Sequence, residues 1–482
     1  MSFRARSVAG GGVLVAGYLV LLLANVCDFA AGPDSSGYLG QARMLRSGAT
    51  SIRVAPVFEP GLDPSLIYLF TPYGFMRGPV EGTMVPTYPV GTSLHLAAGA
   101  VIGGWRAGPF AVVPLAAIAC LLLTVFIGRR IGLATGWAIV AAAILAAFPI
   151  FIAQAVQPVS DVLATLWALA AIACALRSDE HWRWAAACGA AFAIGVAVRP
   201  TNVLLALPLL LALRCRWPRL IAAGAAAMPF ALALVWYYDV LYGSPLNNGY
   251  GGVRHILSFG SIPPCLRPQT TWLIAAATPL LFPGGLFVAL NRRVSGWHRA
   301  LLLSWFGVFF LFYVYYDFCP NSSSTRFLLP ALPALIIGLV SIVAGLSGTR
   351  RIGRVLAVVC VLAVLTREVV MIGRMHVLRM DSWEAIYPQT VEWVEQHAPA
   401  NAVVLSAITS GAFHFHSERQ VVRWDQLTPE TTARLQSSPR FAGPWYAVVS
   451  EVEGGLPALR ARVPGEWQEA GRIRDVTIWR RE

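Results

Sequence analysis

A polytopic α-helical membrane protein of about eleven spans, with a small α/β domain at its C-terminus, is the fold class this sequence predicts. Three observations predict it. Of the 482 residues 57% are hydrophobic and only 13% charged, and the apolar runs recur at roughly the ~20-residue length that a bilayer demands. The basic residues, all 37 of them arginine, cluster between those runs. Beyond Gly373 the composition changes, with frequent charges and short alternating segments. A net charge of +13 would suggest nucleic acid in a soluble chain. Here it marks cytoplasmic loops facing anionic lipid, and no nucleic-acid partner is expected.

The arginines thread the chain through the membrane. Arg4 and Arg6 precede the run Val8–Cys27, and the lack of a small-residue cleavage site predicts a retained first span that enters from the cytoplasm. Asp28 and Asp34 then lie outside. If Pro89–Gly104 and Pro109–Ile127 both crossed, the basic "GRRIG" at 128–132 would fall outside, against the positive-inside bias, so Pro89–Gly104 is placed along the outer interface. The remaining crossings follow in alternation: 134–156, 162–176, 185–198, 202–213, 220–238, 272–290, 300–318, 327–346 and 355–372. Every strongly basic loop is then cytoplasmic.

The division expected is 1–373 for the membrane domain and 374–482 for an extracytoplasmic α/β domain. In the tail, "SWEAIYPQTVEWVEQHAP" has helical spacing, whereas "NAVVLSAI" and "WYAVVSEV" read as short buried strands. At about 110 residues it can hold its own core. The eight cysteines form no CxxC pair, so neither a zinc site nor a redox motif is indicated. Cys265 and Cys319, both placed outside, are a candidate pair.

Acids and arginines converge on the outer face. The first outer loop, from Asp28 to about Tyr88, is too long for a plain connector. Other outer edges carry Asp161 in "QPVSD", Arg199 in "VRPTN", Asp239, Asp317, and Arg326 in "STRFLLP". A carboxylate there can take a proton from an attacking hydroxyl, and arginines at headgroup level can bind a phosphate whose tail lies in the bilayer. This suits sugar transfer from a polyprenyl-phosphate donor to an extracytoplasmic acceptor, a cell-envelope glycan, lipid or protein of unknown identity. One direct displacement inverts the anomeric centre, with Asp34 acting on the acceptor and Arg199 or Arg326 steadying the departing phosphate.

Several segments also carry a resemblance. "PDSSGYLGQARMLRSG" resembles the Asp-x-x-x-Tyr segment that opens the first outer loop of C-type (GT-C) glycosyltransferases, the superfamily of protein O-mannosyltransferases and the lipid A aminoarabinose transferase. "TYPVGTSLHLAAGAVIGG" is similar to their interfacial helix, and the stretch from "GRRIG" to "QPVSDVLATL" to their third span with an outer acid behind it. "VRPTNVLLALPLLL" and "STRFLLPALPALIIGL" are similar to segments of bacterial members. The resemblance covers Val8 to Ile372 and implies a GT-C-like fold in the bacterial inner membrane, with Asp34 as the essential first-loop carboxylate and Asp161 as the second-loop acid. Ser35 stands where many relatives carry a second acid, and "YPVG" lacks their double proline. Asp28 is the rival base. Tyr38, Tyr88 and His95 join Arg199 and Arg326 as substrate-binding candidates. No metal ligands are assigned, with Mg2+ or Mn2+ open as a cofactor.

Each candidate has a structural reading beside the functional one. Asp34 can cap the helix that it opens, and Asp161 the span that begins at Val162. Asp28 can be an interfacial residue, Arg199 and Arg326 can snorkel to headgroups, and His95 can be amphipathic surface. "HFH" places His414 and His416 on one side of a possible strand with no third ligand nearby. Asn321-Ser322-Ser323 matches a glycosylation sequon, and 242–270, with Gly249, Gly251 and Gly252, is a candidate lid. The competing function is a transporter or flippase for lipid-linked sugars or solutes, which calls for charges or broken helices near the midplane and an internal repeat. A non-catalytic assembly scaffold is the third.

Overall fold

Proline and glycine decide where this chain's helices break. The computed structural model describes residues 3–59, 62–245, 247–250, 257–316, 322–348 and 351–481. Asp317, Cys319, Asn321, Gly251 and Gly252 lie outside the described residues. The chain divides into two compact units. One holds Met1–Val26, Ala111–Leu234 and Gly252–Met380, and the other Cys27–Phe110, Val235–Gly251 and Asp381–Glu482.

The first unit is helical. Its helices occupy the stretches read as apolar runs, among them Asp161–Ala175, Trp182–Val198, Gly296–Tyr315, Leu332–Ser347 and Arg351–Arg374. Among the described residues four helices are long and apolar enough to cross a membrane, and the pair Thr135–Ala147 and Pro149–Ala155, bent by 67°, makes a fifth if taken as one span. The bend falls at Phe148, where Pro149 opens the second helix and, lacking an N–H, cannot continue the first helix's ladder. Thr278 ends the helix Ile262–Ala277 just before Pro279, its ψ of 147° lying outside the helical range, as steric conflict with a following proline ring favours. The helix Trp217–Tyr242 continues past Pro229 without a break. The core is large and apolar, with Trp305, Phe309, Phe148 and Phe151 fully buried.

Small residues let these helices touch. A Cβ on Gly189 would lie 1.9 Å from the carbonyl oxygen of Ala223, and one on Gly338 would lie 2.6 Å from that of Gly285. Both are backbone-to-backbone approaches of the kind that membrane helices reserve for glycine and alanine.

The second unit is organised by a sheet. Five strands, β4 (Val403–Ser406), β5 (Val421–Val422), β6 (Trp445–Ser450), β7 (Trp467–Ile473) and β8 (Val476–Arg481), lie in the order β5-β4-β6-β8-β7. β4 runs parallel to β5 and β6, while β8 is antiparallel to both its neighbours. Successive side chains point to opposite faces, and every position of β4 and β6 is buried, which is why both segments are apolar up to their terminal serines, Ser406 and Ser450. Val403, Leu405, Trp445, Ala447 and Val449 enter one core together with Met44, Leu66, Ile67, Phe70 and Met84 of the first loop. Val404, Tyr446 and Val448 enter the opposite core with Ile386, Val391 and Val394 of the helix Ile386–His397. Both faces are covered, so both sets must be hydrophobic.

The first loop is thus an ordered layer on that sheet. It contains the helix Pro33–Ser47 and three antiparallel strands, β1 (Ile52–Arg53), β2 (Phe75–Arg77) and β3 (Thr83–Pro86), ordered β1-β3-β2. The helix Val90–Ile131 is broken at Gly104, where φ is 71°. That separates 90–103 from the longer apolar stretch, as the threading of the arginines required.

The helix crossing at Gly189 yields a stability prediction. Gly189→Val, measured by thermal unfolding in nanodiscs, should destabilise by about 1–3 kcal/mol through overpacking, whereas Gly136→Val, at a position with open space around it, should change little.

Candidate active site

The helix that carries Asp34 begins at Pro33, which is pre-organised for a first helical position. Gly32 is its N-cap and no side chain caps it. Asp34 therefore does not cap this helix as the structural reading supposed. It stands in the first turn, half-buried, where a negative charge is favoured by the helix dipole, while Ser35 to Gly40 behind it are all buried. Asp28 is exposed in the irregular segment ahead of the helix.

The C-terminal residues fix this helix in place. The Glu384 carboxylate accepts the Gly32 N–H at 3.3 Å, and the Tyr387 ring leaves only 3.3 Å for a Cβ at Gly32. Gly411 approaches so closely that a Cβ there would meet the Ser36 hydroxyl at 2.3 Å. Arg43 donates to the Phe415 carbonyl at 2.7 Å, and His416 Nε2 bonds the Ala30 carbonyl at 2.8 Å.

Tyr38 and Tyr88 come together, with ring centroids 4.9 Å apart. A methyl at Gly37 would lie 2.4 Å from the Tyr88 ring, so the aromatic pair depends on that glycine. Tyr250 adds a third ring 6.2 Å from Tyr88, and Gly249 lies against the Thr87 backbone. This part of the candidate lid rests on the first loop. His95 is half-buried on 90–103, its Nδ1 turned to the Gly91 carbonyl at 2.6 Å. The sequence reading passed over the polar chain beneath these residues. Ser93 donates to Gln41 Oε1 at 2.7 Å, and Gln41 Nε2 to the Tyr237 hydroxyl at 3.0 Å. Its signal was a glutamine and a serine on the apolar faces of two helices.

In the helical unit, Asp161 is 2% exposed and ion-paired with Arg199. Its helix has Ser160 as N-cap with no side-chain bond, so Asp161 is an ion-pair partner rather than a cap. The geometry follows from "VRPTN". The residue before Pro200 is pushed out of helical conformation, Arg199 takes φ −148° and ψ 113°, and its guanidinium meets Asp161. Asn202 donates to the Ala164 carbonyl at 3.0 Å, and Tyr313 to Thr201 at 2.9 Å. Arg199 and Arg326 stack on the same ring, 4.6 and 5.3 Å from the centroid of Phe327. Among the described residues that cluster holds two guanidiniums and one buried carboxylate. Asp34 belongs to the sheet-containing unit and Asp161 to the helical one. Among the described residues no three His, Cys, Asp or Glu side chains are grouped to hold a metal ion.

Two further departures concern single residues. His414 and His416 lie on the helix Ser410–His416 rather than a strand, and two helical positions apart they point to different sides. Glu368 is a buried carboxylate inside Arg351–Arg374, 0% exposed, with neither oxygen hydrogen-bonded. The signal for it was plain, a lone acid within an apolar run.

Burial, reinforced by the Arg43 charge, pushes His414 down to about 4, and burial lowers His416 as well. An unfolded histidine takes a proton near pH 6.5, whereas folded His414 stays neutral until about pH 4. Its contribution is complete above pH 6.5 and is lost as the pH falls from there towards 4. Thermal unfolding at pH 7 and pH 5 should therefore show a smaller drop in Tm for His414→Gln than for wild type. In the helical unit, Arg199→Met strands a buried charge and should cost about 3–5 kcal/mol, with Asp161→Asn in the same background recovering much of it.

No protein-family profile matches the chain, and no curated protein matches it. Solved structures do share its fold. ArnT from Cupriavidus metallidurans, crystallised with undecaprenyl phosphate, is 14% identical with a TM-score of 0.57, the match covering 98% of each chain. The Archaeoglobus fulgidus oligosaccharyltransferase in its apo form is 12% identical with a TM-score of 0.60, over 92% of this chain and 71% of that one. The arabinofuranosyltransferase AftD from Mycobacteria is 15% identical with a TM-score of 0.56, over 99% of this chain and 41% of its own. The chain shares the fold of these three structures, the fold that the resemblance in its sequence implied.

Proposed function

We propose that this protein is a membrane glycosyltransferase that moves a hexosyl or pentosyl unit from a polyprenyl-phosphate donor to an extracytoplasmic acceptor, with inversion. It spans the bacterial inner membrane about eleven times by the ~20-residue rule, with its N-terminus cytoplasmic and residues 374–482 outside. A fold alone does not fix a reaction. The observation that carries the proposal is the pair Arg199 and Arg326 on the one Phe327 ring, a cationic cluster in an otherwise apolar helical unit, suited to a phosphate with a lipid tail. The structure of a like-folded protein with undecaprenyl phosphate supports the same donor class.

In this reading Asp34 takes the proton from the acceptor hydroxyl, whose oxygen attacks the anomeric carbon. The bond from that carbon to the phosphate oxygen breaks, its electron pair leaves with the phosphate, and the arginines stabilise the growing negative charge. Asp161 holds Arg199 in register. Tyr38 and Tyr88 offer an aromatic surface to a sugar ring, with His95 beside them on the interfacial helix. Asp28 is the alternate base.

A second reading, a transporter or flippase for lipid-linked sugars or solutes, has one observation in its favour. Glu368 is an ionisable residue buried within a candidate span, the kind that marks transport pathways.

Purified wild type and Asp34→Asn, compared in nanodiscs with radiolabelled polyprenyl-phosphate sugars and a cell-envelope extract, test the proposal. Transfer should fall by about 10²–10⁴-fold with donor binding kept. Normal transfer by the variant would remove Asp34 as the base, and no transfer by wild type with any donor would turn attention to transport. Arg326→Met should weaken donor binding by about 1.5–3 kcal/mol, the value of a charge-assisted hydrogen bond.

A further inference from the structure

A cavity of about 270 Å³ opens within the sheet-containing unit, between the first loop and the segment from Ser410 to Val421. Its wall includes Arg43, Arg53, Met84, His414, Glu418 and Arg419. None of these belongs to the transfer chemistry described above. Three guanidiniums face one carboxylate, so the wall is net positive.

The three arginines differ in what they have left to offer. Arg419 is committed, paired with Glu395 at 3.0 Å and donating to the Pro399 and Ala398 carbonyls at 2.8 and 2.9 Å. Arg43 spends one N–H on the Phe415 carbonyl and lies 3.4 Å over that ring. Burial pushes its pKa down, with Glu418 pulling the other way. Arg53 is exposed, its guanidinium 4.3 Å above the Phe58 ring. A partly desolvated guanidinium on an aromatic face, as at Arg43, holds an anion more strongly than a solvated one. His414 adds hydrogen-bonding capacity without charge, since burial pushes its pKa down to about 4. No group of three metal-type ligands occurs here among the described residues, and the arginines disfavour a cation.

We propose that this cavity is an anion subsite for the acceptor, taking one sugar residue that bears a carboxylate or a phosphoryl group. Its volume is just under the ~300 Å³ at which ligand clefts usually begin, which fits one monosaccharide rather than an oligosaccharide. Phe415 offers apolar surface to a sugar ring, and Ser417 and Gln420 offer polar groups to its hydroxyls. This assigns the C-terminal domain a task, the selection of acidic acceptors. The word acceptor rests on the transferase reading, whereas anion binding does not.

The test is direct binding to the full-length protein in nanodiscs, by equilibrium dialysis with radiolabelled glucuronate, inorganic phosphate and glucose. Glucuronate, phosphate or both should bind with a Kd on the order of millimolar or tighter, and whichever binds identifies the anionic group. Glucose should not bind at this strength. Arg53→Glu should weaken binding at least tenfold and Glu418→Gln should strengthen it, while Asp34→Asn leaves it unchanged. Glucose binding as well as glucuronate, neither anion binding, or an Arg53→Glu protein with wild-type Tm and wild-type affinity would each overturn the subsite. Anion binding without sugar transfer would leave the subsite standing and count against the transferase reading.

Discussion

The Asp34 helix is held by residues that are remote from it in sequence. An N-terminal helix end leaves backbone N–H groups unpaired, and the N-cap here is a glycine, with no side chain to take them up. The Glu384 carboxylate supplies the acceptor for Gly32, and the arrangement of Tyr387, Gly411, Arg43 and His416 follows from that docking. Glycines at 37 and 411 permit it, each standing where a Cβ would strike a ring or a hydroxyl, and at Gly32 a Cβ would fit only tightly against Tyr387. The first loop is therefore more than a covering for the sheet. It places a carboxylate on a rigid element supported from behind, which reactive geometry requires.

A second constraint works in the helical unit. Pro200 bends the chain out of helix at Arg199 and brings that side chain to Asp161. Burying either charge alone would be costly, so the pair stands or falls together. Phe327 then gathers Arg199 and Arg326 on one ring. One proline, one acid and one aromatic ring thus bring two guanidiniums together in a unit whose core is largely apolar.

Much of this was legible in the sequence because it depends on local patterns. Apolar runs, basic loops, the separation of 90–103 from the longer apolar stretch, and the strands around Val403 and Trp445 could all be read from periodicity and charge. The boundary placed at Gly104 by the distribution of arginines coincides with a break in the helix. The features that could not be read depend on contacts across hundreds of residues. Nothing near Asp34 announces that Glu384 completes its helix. The β7–β8 hairpin was missed because its solvent-facing residues dilute the alternation, as in "WQEAGRI". The "HFH" segment looked like a strand by alternation alone, but burial of Ala412 and Phe413 against the sheet makes it a helix. Glu368 was overlooked among apolar neighbours, although its type alone sets it apart.

The anchoring of Gly32 by Glu384 also orders events in time. The two residues are 352 positions apart, and at about 5–20 residues per second of synthesis the helix bearing Asp34 is made long before its anchor. β8, the last strand made, lies inside the sheet between β6 and β7, so the sheet closes only when nearly the whole chain has been translated. The helix that carries the proposed base is thus among the first parts of the protein to be made and among the last to acquire its final support.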